Sequence, residues 1–175
     1  MARTPKVARG PQAARARQAA RARQTARRLE LDVSYASRSP WVPGSRRLGE
    51  WAEAALSPIV KRSVLSVRIV GSVRSRSLNL RYRQKDKPTN VLSFAGVGLA
   101  PDGRTFLGEL VICAPLVALE ARAQDKTLEA HWAHLTIHGV LHLMGFDHER
   151  ASESRKMAAR EIQILDRLGF SDPYR

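Results

Sequence analysis

Residues 138–148 read H-G-V-L-H-L-M-G-F-D-H, with histidines at His138, His142 and His148 and a glycine, Gly145, in the second gap. An α-helix advances about 100° and about 1.5 Å per residue, so His138 and His142 fall roughly 40° apart around the axis and about 6 Å along it. Both imidazoles can then hold one ion. Gly145 can take a positive φ at no steric cost, which ends the helix and returns His148 toward the same ion. Three imidazoles with one coordination position left open form a catalytic arrangement for zinc, because structural zinc sites normally close with four protein ligands.

Two further histidines, His131 and His134, lie on the same helical stripe. His134, His138 and His142 span about 12 Å of a straight helix, so three in a row cannot surround one tetrahedral centre. His131 and His134 also lack a glycine turn after them. They read as packed or hydrogen-bonded helix residues, with an outer orienting role open to one of them. Asp147 could orient an imidazole or simply sit in a solvated turn.

Outward from this helix the pattern is that of a folded domain over residues 29–175. Leu29, Leu31, Val33 and Tyr35 alternate with polar residues as in a strand with one buried face. A Pro-punctuated loop, Trp41 to Gly44, precedes a helix expected from Ser45 to about Arg62, despite Pro58. Val64 to Gly71 is a second strand, and a short helix over Val73 to Arg83 presents Leu78 and Tyr82. After the polar loop Lys85 to Thr89 come strands at Asn90 to Ala95 and Phe106 to Cys113. Pro115 suits the first turn of a helix running to about Gln124. The histidine helix starts near Leu128, and a last helix spans Ser152 to Leu168 with Gly169 as its stop. Strands and helices mix without regular βαβ repetition. The expected class is α+β, a single domain with about four strands in a mixed sheet, about five helices and a zincin-like metal helix.

The formal charge of +14 over 175 residues is extreme, and residues 1–28 hold nine Lys or Arg and no acid. The remainder has 21 basic against 16 acidic residues, about +5. Both parts favour a polyanionic partner: RNA, DNA or an anionic membrane. The repeat R-A-R-Q-A-A, R-A-R-Q-T-A over residues 15–26 spreads its arginines around a helix axis and offers no large apolar side chain to bury. Residues 1–28 therefore read as a basic, solvated, disordered tail; salt-sensitive RNA contact and a transit peptide are the other readings. Cys113 is the single cysteine, so no internal disulfide forms. No apolar run is long enough for a signal peptide or a membrane span, which suits a reducing cytosolic setting.

The histidine spacing is also that of the metzincin zinc proteases, H-E-x-x-H-x-x-G-x-x-H, with Gly139 in place of the glutamate. That carboxylate moves a proton from the zinc-bound water to the leaving amine. Without it peptide hydrolysis loses its shuttle, whereas a metal that brings its water's pKa toward about 7 can still polarise a phosphoryl oxygen.

Three blocks carry a closer resemblance. They are S-L-N-L-R-Y-R-Q-K-D-K-P-T-N-V-L-S-F at Ser77 to Phe94, L-G-E-L-V-I-C at Leu107 to Cys113, and A-H-W-A-H-L-T-I-H-G-V-L-H-L-M-G-F-D-H at Ala130 to His148. In this order they resemble the YbeY endoribonucleases, or ribosomal RNA maturation factors, over about Leu48 to Tyr174. The resemblance implies a bacterial, cytoplasmic, single-strand-specific endoribonuclease with one bound metal, usually assigned as zinc. It implies partners in ribosomal RNA and the small ribosomal subunit, through RNA 3′-end maturation and ribosome quality control. It makes His138, His142 and His148 the metal ligands and Arg83 the cleft arginine needed for activity. A guanidinium suits that role, being always charged and presenting a planar fork of donors to phosphate. Arg81, Lys85 and Lys87 would extend the positive cleft or form a solvated loop. The chain departs from the family pattern at Glu109, usually aspartate, at Ala95, usually proline, and in a more basic last helix. A zinc peptidase with its base from elsewhere and a non-catalytic assembly factor with a structural metal are the alternative functions.

Overall fold

The computed structural model describes residues 28–37, 41–60, 62–99, 102–146 and 151–175, and residues 1–27 of the basic tail and His148 lie outside them. Four strands, β1 (Leu29–Tyr35), β2 (Ser63–Val70), β3 (Val91–Ala95) and β4 (Thr105–Cys113), form one sheet in the order β1-β2-β4-β3. Strands β1, β2 and β4 are parallel, and β3 runs antiparallel on the β4 edge. The described residues also form five helices: α1 (Ser45–Ala55), α2 (Ser72–Arg83), α3 (Ala114–Ala123), α4 (Leu128–Leu143) and α5 (Ala151–Arg167). The expected single α+β domain with a mixed four-stranded sheet is what the chain adopts.

One correction concerns α1, which stops at Ala55 rather than near Arg62. Leu56 turns extended, with ψ 140°, and packs into the core at 3% exposure. Pro58 disfavours helical geometry at the residue before it, so the chain cannot carry the helix past that point.

Parity along the strands sorts the two faces of the sheet. Leu110 and Ile112 join Leu48, Trp51, Trp132, Ile137, Leu141 and Ile164 in the main core, under α1, α4 and α5. Val111 faces the other way, into a small cluster with Val70, Leu78 and Leu92 beneath α2. Glu109 shares that second face and is paired with Arg68, whose Nε is 2.8 Å from its carboxylate. The position that departs from the family pattern is thus on the opposite side of the sheet from the histidines.

The central helix α4 begins at Thr127, whose hydroxyl accepts from the Ala130 N–H at 3.2 Å, a normal N-cap. It crosses the sheet at Gly139. A Cβ there would meet Leu110 at 2.8 Å, closer than real contacts allow, and Ser93 Oγ donates to the Gly139 carbonyl at 3.2 Å. A larger residue here would have to push the Leu110 side chain aside. Gly139→Ala is expected to cost about 1–3 kcal/mol by overpacking, read as a lower denaturant midpoint with unchanged m.

Candidate metal centre and cleft

Helix α4 ends by a Schellman motif that the Gly145 reading anticipated. Gly145 has φ 85°, its N–H donates to the His142 carbonyl at 3.0 Å, and the Phe146 N–H donates to Leu141 at 3.1 Å. One turn back, His138 and His142 are half-buried and face each other. Their Nε2 atoms are 3.2 Å apart and their rings meet edge to face at 4.6 Å. Two nitrogens about 2.0–2.1 Å from one tetrahedral ion would lie about 3.3 Å apart, so this pair could share a metal.

The other nitrogen of His138 turns to a residue that the sequence reading missed. Nδ1 lies 2.7 Å from Oε1 of Glu161 on α5, and His134 Nε2 lies 3.5 Å from Oε2. Tyr174 donates its hydroxyl to the same carboxylate. Glu161 is fully buried. Burial pushes its pKa up, but the His134 ring at 3.5 Å and the hydrogen bonds from His138 and Tyr174 outweigh this and hold it at about 2. In turn, burial and the neighbouring carboxylate push the Tyr174 hydroxyl above its ordinary value. The signal in the sequence was a carboxylate on an apolar stripe: Met157, Glu161, Ile164 and Leu165 share one buried face of α5.

His134, His138 and Glu161 have donor atoms within 4.8 Å of one another, so this trio could hold a metal ion. His134 thereby gains a larger part than its sequence position suggested. His131 is a packed residue, 3% exposed, with Nε2 2.8 Å from Glu120. Asn90 donates to both oxygens of that carboxylate, tying α3 and α4 to the start of β3.

A cleft of about 710 Å³ opens in front of His138 and His142. Its opposite wall carries Arg83, at the end of α2, with Lys85 and Lys87 from the following loop, and Phe146 stands at its rim. No acid lines it among the described residues. Asp86, in the same loop, is engaged by Arg76 at 2.6–2.7 Å. Arg83 is exposed and has no ion-pair partner among the described residues. Arg81 does not extend this wall; its guanidinium lies 5.3 Å from the Tyr82 ring centre.

The arrangement is one of imidazole donors in a cleft that is basic among the described residues, suited to an anionic substrate. A family profile described as Endoribonuclease YbeY matches residues 44–169. The solution structure of TM1509 from Thermotoga maritima is similar in fold, with a TM-score of 0.51 and 24% identity over 83% of this chain and 99% of that one.

Proposed function

The chain belongs to the YbeY endoribonuclease family, and from that premise we propose that it hydrolyses single-stranded RNA at one zinc ion held by His138, His142 and His148, with Arg83 as the catalytic cation. The observation that carries this reading is the Nε2 pair at 3.2 Å in one cleft with Arg83, which has no ion-pair partner among the described residues. The trio through Glu161 is the weaker ligand set. A 2.7 Å contact from Nδ1 has the length of a charge-assisted hydrogen bond, and Tyr174 already engages the carboxylate.

When bound, the ion supplies Lewis acidity and acidifies a water. The chain's own groups do the rest. Glu161 holds the proton of His138 on Nδ1, so that Nε2 presents its lone pair. Arg83 grips a phosphate oxygen and counters the charge that grows on it, while Lys85 and Lys87 attract the flanking backbone. Gly139 supplies no carboxylate, which counts against the zinc peptidase. The cellular role that fits is maturation of the small-subunit ribosomal RNA 3′ end and ribosome quality control in the cytoplasm, with ribosomal RNA and the small subunit as partners. No helix among the described residues is long and apolar enough to cross a membrane.

Single-stranded RNA should be cut by the purified protein, the same sequence in a duplex should resist, and a chelator should stop cleavage until zinc is restored. Cleavage unchanged in chelator would sink the proposal. For the basic tail, Arg28 belongs to the fold, since its carbonyl accepts from the Ser63 N–H at 2.9 Å; deleting residues 2–27 is expected to leave the melting temperature unchanged and weaken RNA binding mainly at low salt. A salt-independent loss would contradict a purely electrostatic role.

A further inference from the structure

His138 is held from both sides, and the support behind it reaches well beyond the cleft. Glu161 accepts from His138 Nδ1 through Oε1 and from the Tyr174 hydroxyl through Oε2. With both oxygens engaged in a fully buried site, the carboxylate cannot rotate without breaking a charge-assisted bond. Tyr174 is itself fixed by the segment that follows α5. Phe170 packs edge to face on Trp51 at 6.2 Å, Lys126 donates to the Pro173 carbonyl, and Asp172 accepts from the Tyr174 N–H at 2.9 Å. The Tyr174 ring also stands 5.6 Å from that of His134.

We propose that Glu161 and Tyr174 are positioning residues for the metal centre, a relay in which the docked segment 170–175 sets the orientation of the His138 imidazole. This rests on His138 and His142 being ligands. The relay differs in sign from direct ligation by Glu161. If Glu161 bound the ion itself, removing the Tyr174 hydroxyl would free an oxygen and tighten binding. In a relay, the same change loosens the carboxylate and weakens binding.

The test is zinc affinity, measured by competition of the zinc-loaded protein against a chromophoric chelator, for wild type, Glu161→Gln, Tyr174→Phe and His142→Ala. Glu161→Gln should lose about 10- to 100-fold in affinity. Tyr174→Phe should lose roughly two- to tenfold, the worth of one hydrogen bond. Melting temperatures in excess chelator should fall for Tyr174→Phe, which loses a hydrogen bond to a buried carboxylate, whereas zinc affinity is the readout that a purely structural role would leave alone. Should Glu161→Gln fail to fold, Tyr174→Phe carries the test. Unchanged or tighter zinc binding by Tyr174→Phe overturns the relay. Wild-type affinity in His142→Ala would instead overturn the ligand assignment beneath it.

Discussion

His142→Ala is expected to reduce bound metal from about one equivalent to almost none and to cut RNA cleavage more than about 100-fold. Loss of an outer hydrogen-bond partner of a ligand typically costs about 10–100-fold, and loss of the ligand itself must cost more. The histidine is half-buried at the last turn of α4, and its Nε2 faces His138 rather than the core. The fold should therefore survive. Elemental analysis of freshly purified wild type and variant, beside an assay on single-stranded RNA, gives the answer. A variant with full metal content and full activity would place the centre elsewhere, with the trio through Glu161 as the next candidate.

Arg83→Ala is expected to lower kcat by about 100- to 1000-fold, the usual consequence of removing one donor that stabilises transition-state charge. Metal content and melting temperature should stay at wild-type values, because Arg83 is exposed and has no ion-pair partner among the described residues. Arg83→Lys should recover only part of the loss, since an ammonium keeps the charge and forfeits the planar fork. This variant also separates the nuclease from the assembly-factor reading. Normal ribosome maturation with Arg83→Ala, alongside unfolding of histidine variants, would favour a structural metal and a binding role.

What the sequence made legible was mostly local. Four strands and five helices follow from periodicity and breakers, and Gly145 announces its own positive φ because a helix must leave its last carbonyls satisfied. Gly139 could be read as a missing base, but not as the point where α4 meets Leu110, because that contact joins residues distant in the chain. Glu161 escaped for the same reason. It lies 23 residues from His138 on another helix, and spacing rules see only one helix at a time. The early end of α1 was a matter of weighting: Pro58 was visible, but the pull of the core on Leu56 was not.

The hydrogen bond from Ser93 to the Gly139 carbonyl joins the edge strand to the metal helix just behind His138. Helix α4 is fastened to the large core through Ile137 and Leu141, and the edge strand packs Val91 against it. Helix α2, which brings Arg83, rests on the other side of the sheet with its own Leu78 against Val70, Leu92 and Val111. The cleft therefore has an anvil and a jaw: local stability follows buried contact, so adjustment to a strand of varying shape belongs to the arginine side.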